Sequence, residues 1–326
     1  MLDSCIKSLQ AQTYPNKEII FIDNLSTDGS CEFVQENFKD VIAVCNTVNL
    51  GYSEGANQGI KMAKGEYVML LNPDIIFEKD YLEKCIAKME ENKKIAAICG
   101  KIYKYDFQNN RATNLIDTAG LFCYRNRRVI DNGQGLEDEG QFDQAKEVFG
   151  ISGACPLYRK AALEDVKIEG EYLDKDFFMY KEDVDISWRF HLFGWTCYYL
   201  PSALAYHGRG TGVLQRFTYE QVAKNREKLS PFQKSYSYKN QRLMQLKNEM
   251  FTNFLQDFFP IMFKEIAMYG WMVVKEPYLW KWWLKMWQQV PSILRKRRYI
   301  MKNKRVDAKE MKKWLSGKQS EYLLKR

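Results

Sequence analysis

An open α/β sheet with helices on both faces is the fold class this sequence predicts, and three features predict it. Short apolar runs of strand length alternate with amphipathic stretches of helix length through residues 3–99. Each early run stops abruptly at a polar residue instead of alternating outward, the pattern of strands buried in a mostly parallel sheet. The polar clusters Asp23-Asn24, Asn49 to Asn57 and Asn72-Pro73-Asp74 all come directly after such runs. Sheets of this kind bind ligands at the carboxyl ends of their strands, so three clusters on one edge make a pocket.

The elements follow in order. Residues 3–12 read as a helix closed by the turn Thr13-Tyr14-Pro15-Asn16. Glu18–Ile22 is a strand ending at Asp23, and 24–30 is a loop whose Ser30 can cap the next helix. Val41–Cys45 is a second strand, followed by a loop over 49–54 and a helix over 55–63. Glu66–Leu71 is a third strand, halted by Asn72-Pro73-Asp74; a helix over 79–91 and a strand over 95–99 complete the alternation. The chain therefore opens on a helix, where doubly wound folds normally open on a strand.

Charge divides the chain. Residues 1–223 carry 25 Lys and Arg against 33 Asp and Glu, a balance of −8, whereas 224–326 carry 24 against 8, a balance of +16. Six of the eight tryptophans lie in the second part. This reads as an acidic catalytic body, 1–223, with a basic, aromatic helical region, 224–326, that meets a different partner. The eight cysteines show no CxxC pair and sit mostly in apolar runs, which reads as reduced cytosolic thiols used as small hydrophobes.

The candidate chemistry lies in three places. Asp74 emerges at a strand end, where a carboxylate can hold a divalent cation; the plainer reading of Asn72-Pro73-Asp74 is a strand-terminating turn. Glu182 and Asp183 open an amphipathic helix marked by Val184, Trp188 and Leu192 and closed by Gly194. A carboxylate in a first turn is favoured by the helix dipole and stays ionised, as a general base must; simple charge complementarity would use the same residues. Asp185 and Arg189 stand four apart as a structural pair. His207 lies in a glycine-rich loop after the apolar run 197–200 and is the candidate nitrogen ligand, whereas His191, mid-helix beside Leu192 and Phe193, reads as packing.

Six segments together resemble the family-2 glycosyltransferases of GT-A fold, in particular their bacterial rhamnosyltransferase-like members. They are IIFIDNLSTDGS (19–30), NLGYSEGANQGI (49–60), YVMLLNPDI (67–75), VFGISGACPLYRKAAL (148–163), FFMYKEDVDISWRFHLFGW (177–195) and YHGRGTG (206–212), in family order. The resemblance implies an inverting transfer of sugar from a nucleoside diphosphate, dTDP-rhamnose first and a UDP-hexose second, to a hydroxyl of a glycan or lipid-linked acceptor. It implies donor contacts from Asp23, Asn24, Asn57, Asn72 and Asp74, with Mn²⁺ or Mg²⁺ held by Asp74 and His207. Asp183 would be the catalytic base with Glu182 in reserve, and Gly153-Ala154 would line the acceptor side. Asn72 stands where the family usually has the first Asp of Asp-x-Asp, which removes one charge from the metal site. The resemblance also implies a central first strand, absent here, beside the strands at 18–22 and 66–71.

Other classes fit less well. No GxGxxG or GxxxxGK[ST] occurs, which excludes the common dinucleotide and P-loop sites. The acidic body excludes a nucleic-acid partner, and retention of Asp74, Asp183 and His207 opposes an inactive membrane-bound scaffold. Within 277–298, Trp280, Trp283, Trp287, Val290 and Leu294 share one helical face, with Lys281, Lys285 and Arg295 opposite and a kink or restart expected at Pro291. This predicts a helix lying in an anionic headgroup layer and a peripheral protein on the cytoplasmic membrane face. Residues 251–274 carry too many charges to span a membrane, and either pack on the body or join that surface.

Overall fold

The computed structural model describes residues 1–208 and 226–316. The end of the 206–212 motif and the expected boundary at 223 lie outside these residues. Helix α1 (Leu2–Gln10) buries Cys5, Ile6 and Leu9, and strand β1 (Ile19–Asp23) pairs in parallel with β2 (Val41–Cys45). Helices α2 (Ser30–Asn37) and α3 (Gly51–Met62) connect them to β3 (Tyr67–Met69). Strand β4 (Ile75–Phe77), helix α4 (Tyr81–Glu91) and the long strand β5 (Ile95–Asp106) follow.

Next come β6 (Arg111–Thr118), β7 (Leu121–Cys123), β8 (Val129–Asp131), β9 (Lys146–Val148) and β10 (Leu157–Arg159). The short helix α5 (Lys160–Asp165), the helix α6 (Glu182–Leu192) and the strand β11 (Thr196–His207) complete the body. The main sheet runs β3-β10-β5-β11-β4, with β6 added to β5 and β9 to β11. Its longest pairing, β5 with β11, is parallel; the short strands β3, β4, β9 and β10 join antiparallel, a detail that apolar runs alone do not encode. Strands β1 and β2 form a sheet of their own, so the break falls between the two strands expected to flank a further one.

The main sheet is covered on both faces. One apolar cluster joins β4, β5 and β11 to α1 and α4 through Leu9, Ile75, Tyr81 and Met89. The other collects Ile60, Phe149, Trp188 and Phe190 from α3, α6 and the loop before β10. Cys31 of α2 and Cys45 of β2 lie side by side, with Cα atoms 6.1 Å apart, and the remaining six cysteines are buried free thiols.

The C-terminal region is helical, as expected, and docks on the body. Helix α7 (Pro231–Asn248) is followed by α8 (Phe251–Gln256), α9 (Phe258–Lys275), α10 (Trp280–Asn303) and α11 (Ala308–Leu315). Leu243, Met244, Met286, Ile293, Ile300, Met311 and Leu315 belong to the same apolar cluster as Trp188, so these helices are packed on the body. Helix α10 continues through Pro291: the missing N–H forfeits one bond, and the flanking turns are pinned by Gln289 and Ser292, which bond to Asp176 at 2.9 Å each.

Charge explains the docking. Lys247 donates to Asp174 (2.6 Å) and Asp185 (2.9 Å), Asn248 to Asp185 (2.8 Å), and Lys296 to Asp174, Asp176 (3.0 Å) and Glu171 (3.3 Å). Arg189 bonds Asp185 at 3.0 Å, the pair expected from spacing. Burial alone would raise the Asp174 pKa, but Lys247 and Lys296 outweigh it and hold the carboxyl well below the usual range. A group so depressed adds stability above its unfolded pKa and loses it as pH falls through the folded one. Lys296→Ala should therefore lower the unfolding free energy by about 3 kcal/mol at neutral pH, because it strands buried carboxylates. Urea melts should show that difference shrinking as the pH is lowered through the acid range; a pH-independent difference would reject the ion-pair account.

Candidate active site

Three clusters carry the candidate site, two at strand ends and one at a helix start. At the end of β1, Asp23 is buried and accepts the Ser26 N–H at 3.0 Å. Asn24 donates to the Gly51 carbonyl (2.8 Å) and accepts from Asn46 (2.9 Å), which ties the β1 loop to the start of α3. Gly51 has φ +79, and a Cβ there would lie 2.4 Å from the Phe178 ring. A glycine is required because the α3 entrance and the 177–181 loop share that space. Asn57 is used differently from the expectation. It is fully buried, accepts the N–H groups of Tyr172 (3.1 Å) and Leu173 (2.9 Å) and donates to the Leu173 carbonyl (2.8 Å), so it splices α3 to the 171–173 segment.

The second cluster is the candidate metal centre. Asp74 precedes β4 and His207 ends β11, and the register pairs His207 with Ile75. His207 Nε2 lies 3.3 Å from Asp74 Oδ1, while its Nδ1 lies 2.8 Å from Asp117 Oδ2. Sequence reasoning missed Asp117, which is fully buried on β6. Only its place inside an apolar stretch, Leu115-Ile116-Asp117, marked it. Burial would push the His207 pKa down, but hydrogen bonds from Asp117 and Asp74 hold it up at about 9.

Among the described residues no three potential ligands cluster by themselves. The pair still fits a cation: one half-buried carboxylate and one imidazole converge, and a carboxylate behind the ring fixes its orientation, the usual arrangement for a ligating histidine. Metal binding needs Nε2 free of its proton, so affinity should rise with pH towards 9. Asp117→Asn should weaken Mn²⁺ binding about 10–100-fold in calorimetric titration. An unchanged affinity would leave Asp117 as a structural residue only.

The third cluster holds the carboxylates. Phe178, Tyr180 and Lys181 have φ of 63, 68 and 76, left-handed conformations that non-glycine residues adopt at a cost and that concentrate at functional sites. The Asn240 amide nitrogen, from α7, lies 2.8–2.9 Å from the carbonyls of Phe177, Met179 and Tyr180 and holds this run in place. The run ends at α6, whose first residues are Glu182 and Asp183.

The two differ in environment. Half-buried Asp183 accepts N–H groups from Gly153 (3.0 Å) and Val184 (2.7 Å). Glu182 is buried, one of its oxygens has no partner, and burial together with the Asp183 charge pushes its pKa up to about 8. Burial raises Asp183 as well, opposed by Lys181 and the Gly153 N–H. The two therefore differ in their donors: Asp183 has two backbone N–H groups that favour its charged form, whereas one Glu182 oxygen has none.

The 153–154 loop joins this cluster to the strand end, since Ala154 accepts the Asn72 N–H at 2.9 Å and Gly153 accepts the Tyr52 hydroxyl at 3.3 Å. A Cβ at Gly153 would lie 3.4 Å from that of Asp183, so the loop abuts the carboxylate closely. A relay of contacts thus links these residues: Asn24 to Gly51, the start of α3 to Phe178, Asp183 to Gly153, Ala154 to Asn72, and Asp74 to His207. His191 packs as expected, stacked on Trp314 with ring centroids 4.1 Å apart.

Residues 1–167 match the family model described as Glycosyl transferase family 2. The chain belongs to that family. Among curated proteins it is 32% identical over 207 residues to the poly-beta-1,6-N-acetyl-D-glucosamine synthase of Staphylococcus epidermidis, covering 62% of this chain and 45% of that one. The synthase of the same name from Staphylococcus aureus strain COL is 30% identical over 212 residues, 63% of this chain and 46% of that one. The chain thus spans under half the length of these family-2 relatives.

Among solved structures, S. aureus TarS 1-349 superposes with a TM-score of 0.53 at 15% identity, over 96% of this chain and 85% of that one. GalNAc-T7 with UDP, GalNAc and Mn²⁺ gives 0.52 at 14%, over 85% and 54%. These likenesses establish the GT-A fold.

Proposed function

We propose that this family-2 chain transfers a sugar from a nucleoside diphosphate to a glycan hydroxyl with inversion, using Asp183 as the base. The observation that carries the proposal is the contrast between Asp183, anchored by two backbone N–H groups at the start of α6, and Glu182, buried with one oxygen lacking any donor. Inversion requires a carboxylate that takes the acceptor proton as the new bond forms, an effect of roughly 10²–10⁴-fold. The Gly153 N–H orients that carboxylate, and Lys181 favours its charged form. Asp23 and Asn24 close the nucleotide side, while Asn72 and Asp74 face the donor's diphosphate and ribose.

A divalent cation, Mn²⁺ or Mg²⁺, would be held by Asp74 and His207, and when bound it neutralises charge on the departing diphosphate. We rank an N-acetylhexosaminyl donor, a UDP-hexose derivative, ahead of dTDP-rhamnose; the name of the poly-beta-1,6-N-acetyl-D-glucosamine synthases supports that order. They favour a polysaccharide as acceptor.

Asp183→Asn should lower turnover by about 10²–10⁴-fold while donor affinity stays near wild type, and Glu182→Gln should be mild. Because the folded pKa of Asp183 is raised, the acid limb of kcat should lie above the ordinary carboxylate range near about 4. Nucleoside diphosphate release across pH checks both. A severe Glu182→Gln with a mild Asp183→Asn would reverse the assignment.

Membrane contact belongs to this reading in altered form. Helix α10 buries Ile293, Lys296 and Ile300 against the body, so 277–298 does not lie free on a surface. The outward apolar positions are Trp280, Leu284 and Trp287 near its start, together with Phe259, Phe263 and Ile266 of α9. Among the described residues no helix is long and apolar enough to cross a membrane. Such a stripe suits shallow insertion at an anionic surface. Phe259→Glu with Phe263→Glu should abolish most co-sedimentation with anionic liposomes, including the fraction that survives high salt; undiminished binding would discard this surface.

A further inference from the structure

Beside the run that leads into Asp183 lies an open pocket of about 300 Å³ between the body and the C-terminal helices. Its walls include Phe178 from the left-handed run, Tyr236 and Lys239 from α7, and Trp282, Lys285 and Gln289 from α10. The rings form a continuous surface: Phe178 stacks on Tyr236 with centroids 5.2 Å apart, and Tyr236 meets Trp282 edge-on at 4.6 Å. All three are only half-buried, so their outer faces remain open to the pocket.

The cations here differ from those that dock the helices. Lys247 and Lys296 are consumed by buried carboxylates. Lys239 is also buried, but its bonds go to neutral acceptors, the Asp176 carbonyl (2.8 Å) and the Gln289 amide oxygen. Lys285 is exposed and sits over the Trp282 ring at 4.6 Å, with no ion pair among the described residues. Burial pushes the Lys239 pKa down to about 8, which an arriving anion would reverse.

We infer that this pocket is an acceptor subsite for an anionic saccharide, a sugar unit bearing a phosphate or carboxylate, stacked on Tyr236 and Trp282 and paired with Lys239 and Lys285. The chemistry of the walls specifies both halves of that ligand. An amphipathic aromatic face gives a sugar's C–H surface an apolar partner without demanding hydrogen bonds. Two ammonium groups provide the charge selection: Lys285 has no ion pair among the described residues, and Lys239 bonds no carboxylate, the Asp176 carboxylate in the same wall being taken by Lys296 and Ser292. The location supplies the function: Phe178 is five residues from Asp183, and the Asn240 amide binds the backbone on both sides of it. A saccharide held there leads towards the base. The inference rests on the transferase reading for that purpose, although the binding it predicts does not.

The test is calorimetric titration of the full chain with three trisaccharides of similar size: neutral maltotriose, a phosphorylated maltotriose and trigalacturonate. The phosphate and carboxylate arms show which anion is preferred. Either charged probe should bind, maltotriose should bind at least about tenfold more weakly, and the gap should close as NaCl is raised. Lys285→Gln, at an exposed position, should cost about fivefold for the charged probe, and Lys285→Arg should recover most of it. Trp282→Ala should weaken charged and neutral probes alike.

Equal binding of neutral and charged probes, no measurable binding of any, or indifference to Lys285→Gln would overturn the inference. Displacement of the bound saccharide by nucleoside diphosphate alone would also overturn it, by assigning the pocket to the donor. Donor titration of the same preparation reports on the transferase reading separately, so a silent saccharide arm with intact donor binding rejects the subsite alone.

Discussion

The structure depends on a buried lattice of ion pairs beneath the residues that lead into helix α6. Asp174, Asp176 and Asp185 come from the body, and Lys247 and Lys296 come from helices that follow it in sequence. Burying one of these charges without a partner would cost several kcal/mol, roughly as much as a domain's margin of stability. Neither half satisfies its charges alone, so the opposite balances of the two parts of the chain are complementary. The acidic surplus near residues 171–185 and the basic surplus of the C-terminal helices are two sides of one interface.

That interface accounts for the conformation of the base loop. Three non-glycine residues in left-handed backbone would relax if the segment were free. Asn240 spends its amide on three of the loop's carbonyls, and Gln289, Ser292 and Lys296 fasten Asp176 just upstream. The strain directs the chain so that Glu182 turns inward and Asp183 meets the Gly153 N–H. Burial raises both carboxyls, and only Asp183 has backbone donors that oppose the rise, so adjacent residues are given different environments.

Much of this was legible in sequence, and the illegible part has a physical pattern. Apolar runs located β1, β2, β3 and the start of β5 because a buried strand must be apolar throughout, and the polar residues that stop them located Asp23 and Asp74. The Asp185–Arg189 pair was visible because helical spacing fixes it. Asp117 was not, since its importance lies in touching His207, ninety residues away in sequence. The partners of Asn57 were illegible for the same reason: a motif position reports that an amide is needed but not that it binds the 172–173 backbone, more than a hundred residues away in sequence. The C-terminal helices were read as a surface element because Trp and Lys on opposite faces serve a membrane or a protein equally well. Only the contacts of Lys296 and Ile293 decide for protein on the inner half.

Helix α10 therefore serves two environments, and this limits how an acceptor can arrive. Its later turns are fixed to the base loop by Gln289, Ser292 and Lys296, whereas its first turns carry Trp280, Leu284 and Trp287 outward. A continuous helix transmits position from one end to the other, at 1.5 Å per residue. Whatever engages its outer face is thereby placed at a set distance and orientation from Asp183. Proximity of this kind substitutes for affinity: an acceptor delivered along a fixed surface loses less translational and rotational freedom at the site than one arriving from solution. The same helix that neutralises the buried aspartates thus ties its outer apolar face to the segment leading into Asp183.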